Sequence, residues 1–165
     1  MNVVNALEQL SERPPLAMAA EARTPVRGAT STFMLRKSGS RPVSFSGRHV
    51  GFGNGYRVGT PLWHELNLYQ TEDGHFVADI RVFSKAQGAK DQFHVCVADS
   101  VEEALQFFEG YDARGDVQAD FDPADPSLAP AELMVHAAAL KYRIAEAESQ
   151  YRAVLASFLH QLSAG

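Results

Sequence analysis

The sequence predicts an α+β protein: an antiparallel meander of about four strands, one short helix, and a long carboxy-terminal helix packed on the sheet or on a second subunit. Three observations predict it. Residues 41–98 alternate apolar and polar side chains with a period of two, broken by glycine-bearing turns. Residues 99–103 carry a helix-start signature. Leu133, Ala137, Leu140, Ile144, Ala147, Tyr151, Val154 and Phe158 then recur at alternating steps of four and three. That is the 3.5-residue period of a helix that keeps one edge turned toward a neighbour.

Each element follows from local chemistry. Residues 1–40 are expected to form a loosely ordered N-terminal arm, because Pro14-Pro15 ends the one short helical stretch and the following Ala/Arg/Thr/Ser segment has neither period. Residues 41–165 are expected to form a single domain. Val43 and Phe45 start the first strand, and Gly51-Phe52-Gly53-Asn54-Gly55 reads as the turn after it. Leu62, His64, Leu66 and Leu68 share one face of the next strand, with Trp63, Glu65, Asn67 and Tyr69 on the other. Gly74 closes a hairpin loop, the returning strand places Phe76, Ala78, Ile80 and Val82 on one face, and a turn around Gly88 leads to a last strand carrying Phe93, Val95 and Val97. Ser100 and Glu103 form a capping box for a helix that stops at Gly110. An acidic connector follows, and Pro130 opens the long helix, expected over 130–162. Some 30 residues at 1.5 Å each span about 45 Å. That matches or exceeds the roughly 40 Å diameter of a compact chain of this size.

Composition bounds the function. Apolar residues make up 45% and charged residues 21% of the 165, which suits a globular protein. No apolar run approaches the roughly 20 residues that span a bilayer. The amino terminus lacks the basic, then apolar, pattern of a secretory signal, and the single Cys96 forms no internal disulfide, so a cytoplasmic protein is expected. The net charge of −5 is lopsided: residues 1–98 carry +3 and residues 99–165 carry −8. Arg23, Arg27, Arg36, Lys37, Arg41, Arg48 and Arg57 follow one another with no acid between them. Such a block meets an anionic partner or the acidic half of its own protein.

No complete catalytic constellation stands out. His49, His64, His75 and His94 fall in or beside the strands, and His94 and Cys96 share a face, so His64, His94 and Cys96 are the candidate metal set or thiol–imidazole site. Ordinary half-buried residues are the simpler reading. Glu65 and Asp79 can share a face across a hairpin as a carboxylate pair. The glycine run around residues 51–59 lacks the spacing and following helix of a dinucleotide fingerprint. Asp112, Asp116, Asp120, Asp122 and Asp125 lack the order of a calcium loop, and Arg114-Gly115-Asp116 reads as a chance triplet. Arg36, Lys37, Arg41, Arg48, Tyr56 and Arg57, with Phe45, His49, Phe52 and Trp63 beside them, interleave cations with rings, the pattern of sequence-tolerant single-strand binders. Leu133, Leu140, Ile144, Tyr151, Val154 and Phe158 are the candidate oligomer interface. The functional expectation is a non-catalytic binding or assembly protein, dimeric through its last helix, with nucleic acid as the sharper partner and no cofactor. The alternative is a small enzyme or ligand-binding protein with a histidine site on the sheet.

Overall fold

The computed structural model describes residues 30–165. Five strands, β1 (Ser31–Leu35), β2 (Val43–Asn54), β3 (Leu62–Thr71), β4 (Phe76–Ser84) and β5 (Gln92–Ala98), form one antiparallel meander in sequence order. Helix α1 (Val101–Glu109), a 3-10 turn (Ala113–Asp116) and helix α2 (Pro130–Ala164) follow. The α+β architecture is as expected, with five strands where about four were expected. The additional strand, β1, lies in the segment read as an arm. Its five residues offer only Phe33 and Leu35 as inward positions, too short a pattern to register against the polar residues around it. The helix expected within residues 3–10 lies outside the described residues.

The hairpins form where glycine permits the turn. Gly74 and Gly88 adopt φ of +87° and +78°, the left-handed conformation a side chain would strain. Ser100 Oγ accepts from Glu103 N–H at 3.2 Å, and Glu103 reaches back to the Asp99 N–H at 3.1 Å. That closes the amino terminus of α1.

Residues 51–55 do not turn. Strand β2 continues through Gly51 and Gly53 after a bulge between His49 and Gly51. The reason is on the next layer: a Cβ on Gly51 would lie 2.8 Å from Leu162 Cδ2, and one on Gly55 would lie 2.6 Å from Val154 Cγ2. Glycines at 51, 53 and 55 fall on one face, and their missing side chains form a trough in which α2 rests. The signal was the i, i+2, i+4 spacing, which belongs to a strand.

Both helices cover one sheet face. Leu66, Leu68, Ala78, Ile80 and Val82 meet Ala104 and Phe108 of α1 and Tyr151 and Phe158 of α2 in the larger core. On the other face the sheet curls. Leu35 and Phe33 of β1 pack with Val43, Phe45, Tyr69, Val77 and Val95 in a second core. The β1–β2 turn reaches across to β5, where Ser38 N–H donates to the Phe93 carbonyl at 2.8 Å and Phe93 N–H donates to Ser38 Oγ at 2.8 Å. Half of this face is therefore covered by its own chain. Among the described residues no helix is long and apolar enough to cross a membrane.

Candidate functional site

The uncovered half of the curled face carries a strip of rings. Trp63 on β3 pairs directly with Phe83 on β4, and the next row on the same face runs Glu65, Arg81, Phe93 across β3, β4 and β5. Tyr56, just beyond β2, lies 4.9 Å from Trp63, Trp63 lies 5.5 Å from Phe83, and Phe83 lies 6.5 Å from Phe93, centroid to centroid. A cation sits at each end. Lys85 Nζ is 5.3 Å from the Tyr56 centroid and 5.7 Å from that of Trp63, while Arg36 Cζ is 5.9 Å from that of Phe93. These are cation–π distances. Four rings thus run from beyond the end of β2 across β3, β4 and β5 between two positive charges.

A polar cluster adjoins the strip. Arg81 Nε donates to Asp79 Oδ2 at 2.8 Å and Nη1 to Glu65 Oε1 at 3.2 Å, and Asn67 Nδ2 donates to Glu65 Oε1 at 3.1 Å. Glu65 and Asp79 do share a face, with Arg81 between them, so they are an ion-pair network and not a free carboxylate pair. Their depths differ. The Arg81 and Glu65 side chains are 16% and 14% exposed and reach the surface, whereas Asp79 is 1% exposed. Burial pushes the Asp79 carboxyl up to about 6, against the opposing pull of Arg81. On the same face, His49 stacks on Tyr69 at 4.7 Å, and burial lowers its pKa.

The cationic candidates separate. Arg36, Lys37 and Arg41 lie in or beside the β1–β2 turn that meets β5, and Arg57 follows Tyr56; all four are exposed. Arg48 pairs across from Gln70, bonds that side chain at 3.0 Å, and faces the helix side, away from the rings. Among the described residues none of these five arginines and lysines forms an ion pair with a carboxylate. Lys85, Phe83, Phe93 and Arg81 were not singled out from the sequence as site residues, because only the strand register brings them beside Trp63.

The histidine candidates lie on the opposite face, under the helices. His64 Nε2 is 2.7 Å from Asp116 Oδ2, and the Tyr111 hydroxyl donates to Asp116 Oδ1 at 2.6 Å. The Arg-Gly-Asp triplet is thus a structural tie: Asp116 anchors the connector to β3. His94 is 5.2 Å from Tyr111, ring to ring, with a buried Nε2, and Cys96 packs against the same core. His64 and Asp116 are 1% and 5% exposed, which leaves no approach for a substrate. Among the described residues no group of three or more His, Cys, Asp or Glu side chains is placed to hold a metal ion. A cleft of about 190 Å³ opens nearby between the β4–β5 connection, residues 116–120 and α2, and two of its charged walls, Arg143 and Asp120, are paired with each other at 3.0 Å.

The seam of α2 divides along its length. Tyr151 and Phe158 are buried against their own sheet, Tyr151 donating to the Phe108 carbonyl at 2.5 Å, and Val154 packs beside them. Leu133, Leu140 and Ile144 are half-buried, and Phe121 of the connector stacks on His136 at 5.2 Å. The seam's period therefore serves, over its second half, the sheet of the same chain.

No protein-family model, curated protein or solved structure matches this chain, so its functional reading rests on the geometry of the strip.

Proposed function

We propose that the chain is a non-catalytic binding protein that holds single-stranded nucleic acid across the ring strip. The observation that carries this is the unbroken run Lys85–Tyr56–Trp63–Phe83–Phe93–Arg36, with each member about 5–7 Å from the next. Stacking platforms between positive charges suit unpaired bases joined by phosphates, and a duplex hides the base faces that such a platform needs. Lys37, Arg41 and Arg57 flank the strip without a described carboxylate partner. The helices and connector that hold most of the chain's acid are packed on the other face, so the net charge of −5 does not describe the strip.

Trp63 is the one tryptophan, which makes its fluorescence a reporter of the site itself. Oligothymidylate should quench it, and labelled strands should bind at micromolar concentration in low salt. Four to six phosphate contacts on single strands give a log–log salt slope of about −3 to −4. Lys85→Glu and Arg36→Glu should each make that slope shallower. Unchanged fluorescence and flat anisotropy at tens of micromolar protein in low salt would remove the proposal.

A further inference from the structure

We infer that the strip discriminates among bases and prefers guanine, read through the Glu65 carboxylate with Arg81 beside it; this rests on the single-strand reading above. The row Glu65–Arg81 lies next to the row Trp63–Phe83 on the same face. Two residues along a strand advance about 7 Å. A purine resting against the mutually stacked Trp63–Phe83 pair therefore brings one edge above the Glu65–Arg81 pair, whose side chains reach the surface while Asp79 beneath them does not.

The chemistry of that edge selects the base. A carboxylate only accepts, and it has about four acceptor sites. Asn67 Nδ2 and Arg81 Nη1 occupy two of them, both on Oε1. The base that complements an acceptor followed by a guanidinium is one with adjacent N–H donors followed by a carbonyl. Guanine presents N1–H and the N2 amine side by side, then O6. Adenine and cytosine each offer one amine next to an acceptor that the carboxylate repels. Thymine and uracil place a single N–H between two carbonyls. Arg81 is held in place by Asp79 Oδ2 at 2.8 Å and Glu65 at 3.2 Å, so its orientation toward O6 needs no ordering on binding.

The test uses the full chain and three labelled strands of equal length: all thymine, alternating thymine and guanine, and alternating thymine and inosine. Inosine keeps N1–H and O6 and lacks the N2 amine. The guanine strand should bind about tenfold more tightly than all-thymine, the scale of one good bidentate base contact, with inosine between them. In Glu65→Gln, which retains an acceptor for Arg81 and whose folding is checked by thermal melting, the guanine-to-thymine ratio should fall toward one. Equal binding of all three strands by the wild-type chain overturns the base preference and leaves the strip as a sequence-tolerant platform. Failure of all three to bind overturns the single-strand reading, and this inference with it.

Discussion

Asp79→Asn should change how the protein's stability depends on pH, and the direction can be worked out from burial. The Asp79 carboxyl is 1% exposed and its pKa is raised from 3.8 to about 6, first by burial, with Arg81 opposing. The folded state therefore holds this proton more tightly than the unfolded chain does. Well above pH 6 the ionised group opposes folding by about 3 kcal/mol, a gap of roughly two units at 1.36 kcal/mol each. The opposition fades as pH falls through 6 toward the unfolded value. Between about pH 7 and about pH 5 the relief is about 1 kcal/mol. Asparagine removes the titration while keeping an oxygen for Arg81 Nε. His49, whose lowered pKa pushes stability the other way in acid, is present in both proteins and drops out of the comparison. Urea unfolding at pH 7, 6 and 5 measures it: wild type should gain about 1 kcal/mol relative to Asp79→Asn as pH falls. Parallel curves for the two proteins would refute the assignment of a buried, high-pKa carboxyl at the foot of the strip.

Other outcomes follow from the packing. Gly47→Ala drives a Cβ into the Gln70 carbonyl and to 2.9 Å from the Thr71 Cα, backbone that cannot move aside, and should destabilise by about 3 kcal/mol in chemical denaturation. Gly51→Ala meets only the ends of the Leu162 and Phe158 side chains and should cost about 1 kcal/mol; a reversal of that order would show that the trough is not set by α2. Phe158→Ala empties the centre of the larger core and should cost about 3–5 kcal/mol, read as a lowered melting midpoint. Asp116→Asn weakens the buried bonds to His64 and Tyr111 and should cost about 2–3 kcal/mol, with faster proteolysis within residues 117–129; an unchanged midpoint would mean the tie bears no weight.

Legibility in the sequence followed the range of the interaction that decides each element. The turns at Gly74 and Gly88 and the Ser100–Glu103 cap are settled within a few residues, and were readable. The glycines at 51, 53 and 55 were misread as a turn because what they accommodate, Val154, Phe158 and Leu162, lies far along the chain. Local reasoning sees permissive residues and assigns the commonest use of them. The seam of α2 was readable as a period, but a period does not name its partner, and the partner for Tyr151 and Phe158 is the chain's own sheet. For the candidate site, Tyr56 and Trp63 were visible as rings among cations. Phe83, Phe93, Lys85 and Arg81 join them only through strand register. Asp116 reads locally as one more acid of the connector because its partner, His64, lies 52 residues away.

The trough under α2 also bears on the order of folding. Phe158 closes against Gly53 across roughly a hundred intervening residues, the kind of separation that slows a folding reaction because the loop must close before any contact rewards it. The meander can assemble hairpin by hairpin from near neighbours, and α1 can then cover β4 and β5, but Leu66 and Leu68 of β3 wait with one side bare until α2 arrives. For that interval the sheet presents a broad apolar surface beside β2, whose glycines give it little bulk to ward off another strand. Helix docking is thus the step at which a folding chain leaves its period of greatest exposure to aggregation.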